Sequence, residues 1–139
     1  MKTRRAACSC GQLHLDCLGE PVRVSVCHCL ACQRRTGSAF GTQARFRRDQ
    51  ISGLEGREAE YVRVGDSGGA ATFHFCPVCG STVYWEVKGT EPPFTSESLA
   101  IAVGAFADPQ FPEPKVSVYE TRRHPWIVML EGEGVEHWE

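Results

Sequence analysis

Alternation of apolar and polar residues is the strongest signal along this chain. Gln12-Leu13-His14-Leu15-Asp16-Cys17-Leu18 sets Leu13, Leu15 and Cys17 on one face, and Val22-Arg23-Val24-Ser25-Val26 turns three valines inward. A period of two predicts a half-buried strand in each case. Gly19-Glu20-Pro21 breaks between them, so the two read as a hairpin-like pair. Ser38 to Phe46 reads as extended, as do Glu60-Tyr61-Val62-Arg63-Val64, Ala71-Thr72-Phe73-His74-Phe75, Thr82-Val83-Tyr84-Trp85-Glu86-Val87 and Val116-Ser117-Val118-Tyr119. Leu99-Ala100-Ile101-Ala102-Val103 is almost wholly apolar, the pattern of a central strand. Loops are expected at Gly53 and Gly56, over Gly65 to Gly69, at Pro92 and Pro93, and around Pro109, Pro112 and Pro114. Gln33 to Gly37 has room for a turn or two of helix. No long stretch holds a 3.6-residue apolar period, so the expected fold class is mainly β.

Composition narrows this picture. A chain of 139 residues is expected to form a single domain over 1–139. No run approaches the roughly 20 apolar residues of a membrane span, so no membrane partner is expected. The basic start, Met1-Lys2-Thr3-Arg4-Arg5, has no apolar stretch behind it and does not read as a secretion signal. The expected location is therefore cytoplasmic, where thiols stay reduced and closely spaced cysteines point to metal rather than disulfides. A net charge of −2 argues against nucleic acid as a partner. Arg34, Arg35, Arg45, Arg47 and Arg48 nevertheless fall in a stretch without acids. They read either as a solvated face or as a positive rim suited to a small anionic substrate.

Seven of the eight cysteines fall into three clusters: Cys8-Ser9-Cys10, Cys27-His28-Cys29-Leu30-Ala31-Cys32 and Cys76-Pro77-Val78-Cys79-Gly80. Two Cys pairs far apart in sequence can close a tetrahedral zinc site by pinning two segments together. Cys8, Cys10, Cys76 and Cys79 meet that count, and Gly80 suits a turn needing positive φ. Cys27, Cys29 and Cys32 then remain as three ligands with an open fourth position, the pattern of a chemically active zinc. The competing arrangement has Cys17 or a histidine closing this second site, with His74 a better candidate than His28. Cys17 itself reads as a small core residue on the first strand. His14, His124 and His137 read as surface residues.

Cys8-x-Cys10-Gly11, Cys27-His28-Cys29-x-x-Cys32-x-x-x-x-Gly37-Ser38 and Phe75-Cys76-x-x-Cys79-Gly80-Ser81 resemble the glutathione-dependent formaldehyde-activating enzyme family. Val103-Gly104-Ala105-Phe106-Ala107-Asp108-Pro109 and Pro125-Trp126 are similar to its C-terminal half. The resemblance implies a β-rich, Mss4-like fold built around zinc. It implies a structural site at Cys8, Cys10, Cys76 and Cys79, and a site associated with glutathione and activity at Cys27, Cys29 and Cys32. The activity implied is addition of glutathione to formaldehyde, a carbon–sulfur lyase reaction by class. One position departs: Ser117 stands where many members carry histidine.

Two functions follow as expectations. One is an enzyme holding two zinc ions, one structural and one exchangeable, that activates a thiol for addition to formaldehyde or another small carbonyl compound. Arg34 and Arg35 would then bind the anionic substrate. The other is a zinc-stabilised binding module without catalysis.

Overall fold

The computed structural model describes residues 1–65, 69–88, 97–128 and 130–139. In chain order these form β1 (Thr3–Ala7), β2 (His14–Leu18), β3 (Arg23–Cys27), helix α1 (Leu30–Thr36), β4 (Gly41–Arg47), β5 (Ile51–Glu55) and β6 (Ala59–Val64). There follow β7 (Ala70–Phe75), β8 (Thr82–Lys88), β9 (Ser98–Ala102), β10 (Val116–Val118) and β11 (Glu136–His137). A small sheet has the order β1-β2-β5, and a large one the order β11-β10-β3-β4-β9-β8-β7-β6. The fold is mainly β, and the apolar β9 lies in the interior of the large sheet.

The two alternating strands near the N-terminus do form, but not as a hairpin. β2 pairs with β1 and β5, whereas β3 pairs with β4 and β10. Leu13, Leu15 and Cys17 beside β2 and Val24 on β3 all bury into one core between the sheets. Strands that cover the same core from opposite layers cannot also lie side by side. β1 was not foreseen, because its inward position is taken by Arg4. That side chain is buried and donates to Gly19 O at 2.9 Å. Gly53, expected in a loop, lies within β5 at φ 62°, where the pairing with β2 shifts register. A glycine-permitted bulge breaks the alternation that would have marked the strand. The loop expected at Pro92 and Pro93 lies outside the described residues, as does the middle of Gly65 to Gly69.

Register across the large sheet sorts its side chains into two rows. Val24, Ala44, Ile101, Tyr84, His74 and Glu60 lie opposite one another in succession on β3, β4, β9, β8, β7 and β6. The apolar end of this row packs with Leu13, Leu15, Phe46 and Phe106 against the small sheet. Each large side chain fully buried there contributes about 1.5–3 kcal/mol. One residue along each strand, side chains point to the other face. That row runs Arg23, Arg45, Ala100, Trp85, Phe73 and Tyr61. It forms the floor of a cavity.

Candidate functional site

Cys8 and Cys10 follow β1, while Cys76 and Cys79 form the turn from β7 to β8. Their four sulfurs lie within 4.8 Å of one another. Cys8 and Cys10 are 3.6 Å apart, and Cys10 and Cys76 are 3.7 Å apart. A tetrahedron with Zn–S bonds of about 2.3 Å has edges of about 3.8 Å, so this donor set fits zinc. Leu13 N donates to Cys8 Sγ at 3.3 Å, Val78 N to Cys76 Sγ at 3.4 Å, and Gln12 Nε2 to Cys76 Sγ at 2.9 Å. Such donors favour the thiolate a metal requires. Ser81, through its N–H and then its hydroxyl, pulls the Cys79 thiol down to about 5. Gly80 adopts φ 80° and its N–H returns to Cys76 O at 2.8 Å, which closes the turn as the sequence led one to expect.

The second cluster is built around the start of α1. Cys27 ends β3, Cys29 caps the helix, and Cys32 is buried in its first turn. Their three sulfurs also lie within 4.8 Å of one another. Cys29 Sγ accepts from Cys32 N at 3.3 Å, which leaves its sulfur at the N-terminal end of the helix. Hydrogen bonds from Cys27 and Cys32 hold the Cys29 thiol down to about 2, with Arg63 adding to the effect. Hydrogen bonding with Cys29 and Cys32, together with burial, pushes the Cys27 thiol up.

None of the side chains considered for closing this site reaches it. Cys17 is fully buried on β2, and burial pushes its thiol up to about 12. His74 lies in the row facing the small sheet, grouped with Glu58 and Glu60. His28 turns away from the sulfurs on either side of it. Its ring is buried with Nε2 3.2 Å from Ser117 Oγ, and its N–H donates to Val118 O at 3.0 Å. Burial lowers the pKa of that ring, which keeps it neutral near pH 7. Ser117, the departure noted in the sequence, thus holds this imidazole in place.

The three sulfurs line a cavity of about 970 Å³. Its walls carry guanidinium groups laid over aromatic rings. Arg35 from α1 sits 4.3 Å from the Trp85 ring centre and 5.3 Å from that of Phe73. Arg63 lies 4.9 Å from Phe73, and Arg23 lies 4.8 Å from Trp138. Arg45 is buried in the floor, where desolvation and then Arg23 bring its pKa down to about 10. Partly desolvated cations stacked this way gain about 0.5–2 kcal/mol each and are held in fixed positions.

The two arginines singled out by the sequence part company. Arg35 faces the cavity, whereas Arg34 is exposed and lines a separate hollow with Gln33, His124 and Trp126. His124 is not an ordinary surface residue, since it is half-buried with Nε2 2.7 Å from Gln33 Oε1. Arg47 and Arg48 pair with Asp49 and Glu86. Arg23 and Arg63 were missed as site residues. Their signal was register: Arg23 lies opposite Arg45, and Arg63 shares a face of β6 with Tyr61, which lies opposite Phe73.

The family model for the glutathione-dependent formaldehyde-activating enzyme matches residues 3–122. The chain belongs to this family. All seven clustered cysteines fall within the matched span, in two groups that could hold metal, consistent with zinc. A crystal structure of a Rhodobacter sphaeroides protein superposes with a TM-score of 0.51 at 19% identity. The match covers 73% of this chain and 85% of that one, a likeness of fold. No curated protein sequence matches the chain.

Proposed function

We propose that the protein joins a thiol, glutathione, to formaldehyde or another small carbonyl compound, in the manner of an S-(hydroxymethyl)glutathione synthase. The observation that supports this reading is a set of three sulfurs opening into a cavity whose other walls carry fixed cations. Cys27, Cys29 and Cys32 would hold zinc, which would supply a Lewis acid and a soft position for a thiolate. Glutathione carries two carboxylates beside its thiol, and Arg35 and Arg63 are placed to receive anionic groups near the sulfurs. Phe73 and Trp85 hold those guanidinium groups and keep part of the wall dry. The reaction forms a carbon–sulfur bond at the carbonyl carbon, and the thiol proton ends on the former carbonyl oxygen. Such additions proceed unaided, so orientation and charge placement are all the site must supply.

The four-cysteine site is the structural one in this reading, and a reducing cytoplasm would keep both sets of thiols available. Among the described residues no helix is long and apolar enough to cross a membrane. Gently purified protein is expected to carry close to two sulfur-bound zinc ions per chain. Brief chelation should remove one of them while circular dichroism persists. Loss of both together, or neither, contradicts the assignment of one exchangeable site.

The reaction itself is tested by exchange-sensitive NMR of formaldehyde and glutathione at equilibrium. Wild type should accelerate interconversion with the adduct above the rate without protein, and Cys29→Ser should not. Equal exchange in all three samples with glutathione still bound would leave a thiol-binding protein of other use. Absence of binding as well would return the chain to a non-catalytic module.

A further inference from the structure

The cavity floor holds a second pair of guanidinium groups, apart from Arg35 and Arg63. Arg23 on β3 and Arg45 on β4 lie directly opposite each other, and both line the cavity. Arg45 is 1% exposed. Burial and then the charge of Arg23 lower its proton affinity, the mark of two like charges held together. Burial lowers that of Arg23 too, with Glu136 working the other way. Trp138 stacks on Arg23 at 4.8 Å and also lines the cavity. Two cations set side by side in a desolvated floor favour an anion brought to them.

We propose that Arg23 and Arg45 bind one carboxylate of the thiol substrate while Arg35 and Arg63 bind another, so that the site selects thiols carrying two separated carboxylates. The inference rests on the thiol reading above and assigns Arg45 as a specificity-determining residue. The spacing of the two pairs supports it. Arg35 lies over Trp85 on β8, and β9 alone separates that strand from β4. Two strand spacings set the pairs about 10 Å apart across the floor. An extended tripeptide spans about 10 Å as well.

A hydroxyl points to the same ligand. Ser25 shares one face of β3 with Arg23 and Cys27 and stands between them. It is buried, and among the described residues its Oγ has no hydrogen-bond partner. Gln43, directly opposite on β4, lines the cavity. Polar groups therefore run along the floor from the sulfurs to the arginine pair. A carboxylate reaching Arg45 leaves water behind, and a charge-assisted hydrogen bond strengthens as the local dielectric falls. A thiol with a single carboxylate forgoes one of the two contacts, and discrimination comes from that loss.

Calorimetry on zinc-loaded protein tests this with three thiols. They are glutathione, its glycine ethyl ester, and N-acetylcysteinylglycine, which lacks the γ-glutamyl carboxylate. Wild type should bind glutathione about 10–100-fold more tightly than either one-carboxylate thiol. Arg45→Met should weaken glutathione by a similar factor. One of the other two thiols should then lose nothing further, because its missing carboxylate is the one Arg45 binds, while the other loses as much as glutathione does. Arg23→Gln, at a half-buried position, should repeat the pattern more weakly and keeps the test open if Arg45→Met does not fold. Equal affinity of wild type for all three thiols, or a loss in the variants that is the same for all three, would overturn the proposal. So would wild-type affinity for glutathione in both variants. Failure of wild type to bind glutathione at all is a different result, and it removes the thiol reading together with this inference.

Discussion

Cys76→Ser leaves the chain unfolded or aggregated, whereas Cys29→Ser keeps its far-ultraviolet circular dichroism: that is the expected outcome of exchanging one sulfur in each cluster. Cys76 is fully buried and is the most heavily supported of the eight thiols, with donors from Gln12, Val78 and Cys79. Its cluster joins the end of β1 in the small sheet to the β7–β8 turn in the large one. Structural zinc sites contribute an apparent 10–16 kcal/mol, roughly, to folding, which matches or exceeds the whole net stability of about 5–15 kcal/mol expected for a domain. Gln12 adds to the cost, since the same side chain holds Arg57 through bonds of 2.7 and 2.8 Å. Cys29 is placed differently. It is half-exposed at the cap of α1, where serine also serves well as a helix cap. Equal loss of circular dichroism in both variants, or in neither, would contradict this division of labour.

Reversal of charge at neighbouring arginines should separate the cavity from the surface. Arg35→Glu is expected to weaken glutathione binding by about 100-fold, and Arg34→Glu by no more than about twofold. Losing one charge-assisted hydrogen bond costs roughly 1.5–3 kcal/mol, and tenfold in affinity corresponds to about 1.4 kcal/mol. Arg35→Glu also sets a carboxylate against those of the ligand. It forfeits the stacking on Trp85 and Phe73 as well, so melting temperature is measured alongside calorimetric affinity. Arg35→Gln removes the charge without inverting it and should fall between wild type and Arg35→Glu in affinity. An equal loss in the Arg34 and Arg35 variants would show that the cavity does not sort the two.

The strands with clean alternation were legible, and so was the division of cysteines into four and three. Both signals are local: a period of two and a chelating spacing need no knowledge of the partner strand. Pairing was not legible where the connection misled. Gly19-Glu20-Pro21 resembles a hairpin turn, yet it carries the chain from one sheet to the other because Leu15 and Val24 share a core. β1 and β5 were hidden by a buried arginine and a bulged glycine. The arginines of the site divide along the same line. Arg34 and Arg35 adjoin the cysteines in sequence, but a helix separates their directions by about 100° per residue. Arg23 lies on β3 with Cys27, whereas Arg63 is far from Cys27, Cys29 and Cys32 in sequence and only the register of the sheet brings it in. His74 was weighed as a ligand beside the three sulfurs because its parity on β7 was not followed across to Tyr84 and Glu60.

The parallel pairing of β10 with β3 bears on the order in which a growing chain acquires its parts. Every ligand of the four-cysteine cluster has been synthesised by the time residue 79 emerges. The strand that flanks Cys27, with its bond from His28 N to Val118 O, comes near the end of the chain, and Trp138 comes later still. The three sulfurs at the start of α1 therefore precede β10 and Trp138, which complete the walls around them. During translation the four-cysteine cluster can join the end of β1 to the end of β7 before β8, β9 and β10 complete the large sheet.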